Sequence, residues 1–402
     1  MQAILISNRT GDLIAYISHF HGCKPVNITQ KPTLIDIKTP QQPSVVESNQ
    51  SKAKKSSRVI EFDYLRGLAI VLIVLGHSIT NTNDGFPVWL ENIIRGGTGV
   101  FVFISGFFFH HIFAQRFDYQ NFMSKKVQNV LVPFLSVSAF AIVANFFVFL
   151  FVDRVTLMKA LSMCWALIQQ GFVLFPHWYI PFIMATFLCS GLHFRYLKLP
   201  LLTQLTILAL FSITAVVIHR PDGNINVLQS VVYFTPFYLV GMLYSQYLDW
   251  MKQHYRYFLT AAIIAVITTV WLQSSVLFHA GGYHKAAFEW AGIDLQFIQK
   301  MGLCVLFVGV CYHLVWPALG KHLIMLASIS FAIFFLHPLL SMIWGNTKYL
   351  LLNAGYIEPN TTMAYSLISS VCLFIFQFYG SVWLIGKLKR LLKSKSRLLI
   401  GA

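Results

Sequence analysis

From residue 58 onward the chain alternates long apolar runs with short polar connections. The runs lie near 59–80, 97–115, 128–152, 157–175, 178–197, 200–218, 227–248, 257–278, 299–317, 323–345 and 363–386. As helices, most are long enough to cross a hydrocarbon core about 30 Å thick. A backbone in lipid must satisfy its own hydrogen bonds, so continuous runs of this kind predict helices. The fold expected is all-α, a polytopic membrane helix bundle. Residues 1–57 follow another pattern: Ser, Gln, Pro, Lys and Asn are frequent from Thr29 to Ser57, and no helical period is sustained. Arg9 and Asp12 interrupt the mildly apolar start, which makes it a poor signal peptide. The division expected is a disordered or weakly ordered cytoplasmic tail over 1–57, a transmembrane domain over 58–386 and a basic cytoplasmic tail over 387–402.

Composition agrees with the pattern. Of 402 residues 56% are hydrophobic and 11% charged. A soluble domain has about 25% charged residues, so the solvent matched here is lipid, and soluble enzymes and disulfide scaffolds are excluded. The net charge of +16 is placed as topology rather than as a nucleic-acid surface. Seven Lys or Arg precede residue 58 and six lie between Lys387 and Arg397. Basic clusters beside apolar spans mark cytoplasmic faces, and Arg116, Lys125 and Lys126 form another. If all eleven runs crossed, the last cluster would lie outside. If 157–175 is re-entrant or non-spanning, about ten helices cross, both termini are cytoplasmic, and the basic connections fall on one side. A plasma (inner) membrane location follows as the expectation. The six Cys show no metal-ligand spacing, and no metal site is expected.

Ionisable residues cluster in the first span: Arg58, Glu61, Asp63, Arg66 and His77. Such groups at membrane depth cost several kcal/mol unless paired or hydrated, which makes them functional candidates. Arg66 and His77 are eleven residues apart; at about 100° per residue they drift by only ~20° and stand ~16 Å apart along one face. Asp63, three residues before Arg66, is on the same side. Interface anchoring at one end and capping at the other would explain the same residues.

The run Arg58-Val-Ile-Glu-Phe-Asp63-Tyr-Leu-Arg66-Gly67, with Gly76-His77-Ser78 following, resembles the opening signature of the acyltransferase family 3 membrane proteins, including its Arg-x10-His spacing. Four later stretches resemble that family in the same order: Ser105-Gly106-Phe107, His177-Trp178-Tyr179, Pro236 to Gly241, and Ser328 to His337-Pro338. The likeness spans about 58–386 and is nearest the surface-polysaccharide O-acyltransferase branch. It implies transfer of an acyl group, usually acetyl, from acyl-CoA as co-substrate to a sugar hydroxyl. The partners implied are membrane lipid, the acyl-CoA donor and a carbohydrate or glycolipid acceptor. One departure concerns the family's Arg-x-x-Arg motif, where Lys126 and Asn129 stand here. Lys125 and Lys126 are then either holders of the CoA phosphates, as point charges, or topology charges.

O-acylation needs a base near neutral pH and a group to hold developing negative charge. His77 is the candidate base, or else accepts the acyl group itself. Arg66 would orient the thioester or stabilise charge, and Asp63 would hold Arg66. Ser105 either packs helices closely or meets substrate. His177 and Trp178 could stack on a sugar, Trp178 equally fitting an aromatic belt. His337 is too deep for a cap and is either a bonded core residue or a substrate contact. In the outer loop, His279, His284 and Glu289 could meet an acceptor. A multi-span transporter or flippase would share the spans and the buried charges, but the inverted repeats common in such proteins are not found.

Overall fold

The structure is a computed structural model that describes residues 4–7, 13–16 and 58–402, apart from 83 and 314. In an N-terminal unit, Met1–Lys55, two short strands, β1 (Ile4–Ser7) and β2 (Leu13–Tyr16), pair antiparallel with Ile4 opposite Tyr16. The rest of the expected weakly ordered tail lies outside the described residues.

The second unit, Ser56–Ala402, is helical. It opens with α1 (Ile60–His77), α2 (Val88–Ile94), α3 (Gly97–Phe108), α4 (Tyr119–Lys126), α5 (Val132–Phe151) and α6 (Leu157–Gln169). The middle consists of α7 (Tyr179–Leu188), α8 (Ser190–Tyr196), α9 (Leu201–Ile218), α10 (Val227–Gln246) and α11 (Leu248–Trp271). It closes with α12 (Leu295–His313), α13 (Pro317–Ser328), α14 (Ser330–Asn353), α15 (Met363–Leu392) and α16 (Ser396–Ile400). Short polar side chains start several of them. Asp118 accepts from the Asn121 amide at 2.7 Å, Asn226 from Gln229 at 3.1 Å and Asp294 from Phe297 at 2.9 Å. Each satisfies one of the orphan amides of a first helical turn.

Among the described residues seven helices are long and apolar enough to span a membrane, and α13 with α14, bent by 74°, make an eighth if the pair is one span. The other two runs of the ten expected fall on α1 and on the pair α7–α8, which are not among these eight. α1 carries three charges, Glu61, Asp63 and Arg66, within its 18 residues. The run expected over 178–197 is divided at Cys189 into helices of 10 and 7 residues. The expected non-spanning segment is α6, whose 13 residues reach only ~20 Å, short of a ~30 Å core.

Burial sorts the helices. α10 is enclosed by α3, α7 and α9, and α1 by α3, α12 and α13. α5, α9 and α11 expose apolar side chains such as Phe140, Leu202, Leu210 and Ile264 along most of their length. Exposed apolar surface on that scale suits lipid and would aggregate in water. A close contact fixes the centre: a Cβ at Gly106 would strike the Tyr238 carbonyl, and one at Gly241 the Phe103 carbonyl. The two glycines therefore let α3 and α10 touch backbone to backbone, as small residues do in membranes. Gly241→Leu is expected to cost about 1–3 kcal/mol by overpacking, read as a lowered melting temperature of the detergent-solubilised protein. An unchanged melting temperature would show that the helices can separate without loss.

Candidate active site

Two cavities lie at opposite ends of α1. The larger, of ≈ 650 Å³, is lined by Arg66, Ser105, Lys125, Lys126, Arg397 and a largely apolar wall. No Asp or Glu lines it among the described residues. Arg66 keeps a buried Nε with no hydrogen-bond partner. The expected pairing of Asp63 with Arg66 is present but shared: Asp63 Oδ2 takes the Arg58 Nε at 2.7 Å, and Oδ1 makes a longer ion pair with Arg66 at 3.9 Å. Arg58, five residues before Asp63, reaches back along the helix and takes the shorter contact. Arg66 is thereby left with unspent donors.

Lys126 sits in an aromatic box, its ammonium 4.3 Å from the Phe187 ring centre, 5.1 Å from Phe122 and 5.2 Å from Phe113. Such a cage attracts a cation through the ring quadrupoles. Lys125 is exposed beside it. Sequence reasoning did not place Arg397 here. The stretch expected as a tail turns after α15, and α16 packs on α5, which brings Arg397 to the cavity. α14 also starts at this cavity after the bend at Ile329, with Phe331 in its wall.

The smaller cavity, of ≈ 100 Å³, is lined by His77, Arg95, Trp178, Arg220, His284, Gln296 and Lys300 among others. Between the two lies a neck of ≈ 10 Å³. It shares Phe101, Tyr179 and Phe331 with the larger cavity and Ile73, His77, Thr98 and Trp178 with the smaller one. The cavities thus form a file along α1, with Arg66 on one compartment and His77 on the other.

His77 ends α1 and opens onto both the neck and the smaller cavity. Its ring makes no hydrogen bond among the described residues and lies 5.6 Å from that of His337. His337 is fully buried, and its Nδ1 is 2.9 Å from the Ile333 carbonyl. A carbonyl can only accept, so Nδ1 carries the proton and Nε2 presents a lone pair with no partner. Of the two readings open for His337, the bonded core residue matches the geometry: one nitrogen is tied to the backbone, and the ring neighbours His77 without lining either cavity or the neck.

His177 and Trp178 depart from the expected sugar platform. His177 is fully buried, bonded through Nε2 to the Phe335 carbonyl at 3.2 Å and enclosed by Phe134, Phe334 and Phe335. It lines neither cavity nor the neck, because the turn at Phe175–Trp178 aims its ring into the bundle. Trp178 does line the smaller cavity, but the Arg220 guanidinium covers its ring at 4.8 Å. Ser105 donates to the Phe101 carbonyl at 2.9 Å and faces the larger cavity, so both the packing and the substrate reading remain compatible with its position.

Two loops cover the His77 end. Lys285 donates its amide to the Arg220 carbonyl at 2.9 Å, and the Arg220 amide reaches the Tyr283 carbonyl at 3.2 Å. His284 Nδ1 stands 2.9 Å from the Pro221 carbonyl, and Asn92 accepts from the Gly281 amide at 2.9 Å. Burial lowers the Arg220 pKa to about 10, opposed by Tyr233 and Asp294, so it stays charged at neutral pH. The His284 ring has an edge open to solvent, yet partial burial first and Arg220 next lower its pKa. His284 is therefore neutral near pH 7. Of the other outer-loop candidates, His279 stacks on Tyr283 with ring centres 3.9 Å apart, and the Glu289 carbonyl takes the Lys285 ammonium.

Sequence reasoning missed Arg95, Arg220, Gln296 and Lys300. One signal existed: Arg95, Arg220 and Lys285 lie on the side that the charge rule leaves poor in basic residues.

Against known proteins, the family model described as an acyltransferase domain matches residues 59–396. No curated protein and no solved structure matches the chain.

Proposed function

This chain belongs to the acyltransferase family 3 membrane proteins, and from that premise we propose that it carries an acyl group, most readily acetyl, from acyl-CoA to a hydroxyl of a surface or exported polysaccharide or its precursor. The observation that carries the reading is the file of cavities joining a cationic vestibule to His77. The Arg66 end is the cytoplasmic face, with both termini there, and the membrane is the plasma (inner) membrane. The larger cavity has the volume of a small-molecule site. Lys125, Lys126 and Arg397 meet the CoA phosphates there. Arg397 adds a guanidinium, whose planar fork matches phosphate better than a lysine does. Arg66 holds the pantetheine side of the donor, and the thioester arm passes the neck as Phe101 and Phe331 turn aside.

At the far end His77 takes the proton of the acceptor hydroxyl. The oxygen attacks the thioester carbonyl, the C–S bond breaks, and the departing thiolate recovers the proton from His77. The helix α3 begins at this cavity with Gly97 and no capping side chain, so its free amides favour negative charge at the reacting oxygen. His337 bounds His77 on one side, its ring 5.6 Å away.

Sealed membrane vesicles of both orientations, given labelled acetyl-CoA outside, test the route. Label should reach glycan only in inside-out vesicles, where the Arg66 end faces the donor. Equal labelling in both orientations would sink the transmembrane route. Phe101→Trp should fill the neck, lowering transfer about tenfold or more while acetyl-CoA still binds, as expected when positioning by a cavity wall is lost. Unaltered transfer would remove the neck from the path.

A further inference from the structure

The smaller cavity carries more positive charge than the transfer chemistry requires. Arg95, Arg220 and Lys300 all line it, and among the described residues no Asp or Glu does. Of the two nearby carboxylates, one is paired with Arg95 itself and the other is held by neutral donors. Glu91 takes the Arg95 Nε at 2.6 Å, and Asp294 accepts from the Tyr233 hydroxyl at 2.8 Å and the Phe297 amide at 2.9 Å. Lys300 is only 4% exposed and has no hydrogen bond or ion pair among the described residues. Arg220 gives one donor to Asn224 at 2.7 Å and leaves a buried Nε without a partner. Gln296, fully buried in the same wall, has both amide atoms unpartnered. Buried cations and amides are expensive when unpaired. A transient oxyanion would engage one or two donors for an instant, whereas Lys300, the Arg220 Nε and the Gln296 amide stand without a hydrogen-bond partner among the described residues in the resting protein.

We propose that the acceptor itself carries an oxyanion, a carboxylate or a phosphate, which binds between Lys300, Arg220 and Arg95 and so places a neighbouring hydroxyl at His77. The proposal rests on the transfer reading above and names its substrate class. Arg220 is positioned for the task from behind: its guanidinium lies over Trp178, so the cation is oriented by a ring that is itself buried. The free amide of Gln296 completes the anion's coordination. His284, neutral and with Nδ1 pointing at a carbonyl, offers its Nε2 lone pair to a sugar hydroxyl rather than to the anion. An acidic sugar and a glycosyl phosphate share this chemistry.

The test is ligand binding to the purified full-length protein in lipid nanodiscs, read by thermal shift at matched ionic strength, with glucose, glucuronate and glucose 1-phosphate as probes. At least one anionic probe should bind with an apparent Kd about tenfold or more below that of glucose. Preference for glucuronate alone assigns the anion to an acidic sugar, and preference for glucose 1-phosphate alone to a phosphate-linked acceptor. Lys300→Gln and Arg220→Gln should each reduce the ratio toward one. Lys300→Arg, which keeps the charge, should retain it and shows that the site survives substitution. Glucose binding as well as both anions, no response to either anion, or an undiminished ratio in the glutamine variants overturns the proposal. Acetyl-CoA binding measured on the same samples separates the two readings: its loss with the anion preference intact counts against acyl transfer and not against the anion site.

Discussion

Replacing His77 by Ala is expected to remove acyl groups from the surface glycan, with the transfer rate falling by about 10²–10⁴, the usual contribution of a positioned general base. The structure makes this substitution informative. His77 opens onto two cavities and makes no hydrogen bond among the described residues, so truncation leaves no buried partner stranded. Loss of activity would then report lost chemistry rather than a lost fold. The measurement is the acyl content of glycan by mass spectrometry, from cells carrying either protein at equal membrane levels. Equal acylation in both would end the assignment of His77 as catalyst. A companion measurement separates a base from a covalent carrier: a His77 acyl intermediate would release one CoA per enzyme without acceptor, and a base would not.

The second large effect concerns Arg66. Arg66→Gln is expected to raise KM for acetyl-CoA by about 10–100-fold, the equivalent of one charge-assisted hydrogen bond of about 1.5–3 kcal/mol. The reason is the state of its guanidinium. Asp63 is occupied by Arg58 at 2.7 Å, and Arg66 faces the larger cavity with a buried Nε unpaired. Arg66→Lys should recover part of the loss, because the charge returns without the fork. Steady-state CoA release in nanodiscs reads both constants. A fall in kcat with KM unchanged would move Arg66 from donor binding to the transition state.

The helical architecture was legible because apolar runs long enough to cross lipid have few alternative folds. The short α6 and its failure to span could be inferred from the charge of the loops beyond it. The division of 178–197 at Cys189 could not, since nothing in that apolar stretch announces the break. Arg66 and His77 were readable because one helix carries both, and helical geometry relates residues on one element. Their places on separate compartments needed the packing of α3, α7 and α14 around them. That Asp63 divides itself between two guanidinium groups was not legible, because spacing alone cannot rank Arg58 against Arg66. His177 looked like an exposed aromatic neighbour, but a turn ahead of α7 directs it inward. Arg220 and Lys300 come from different elements and meet only in the folded chain. Arg397 likewise depends on the return of α16 along α5.

The neck described between the two compartments also bears on the cell's energy supply. A continuous water column through a plasma membrane would conduct protons and dissipate the electrochemical gradient. At ≈ 10 Å³ the neck is at the lower limit for a single water, which needs roughly 10–15 Å³, so Phe101, Tyr179 and Phe331 leave no room there for a file of waters. On the proposed route, the thioester arm would open this passage and plug it at the same time. On that reading an activated group could be handed across an energised membrane while the protein stays an electrical insulator, and shortening those three side chains should make the cell leak before it changes the acceptor.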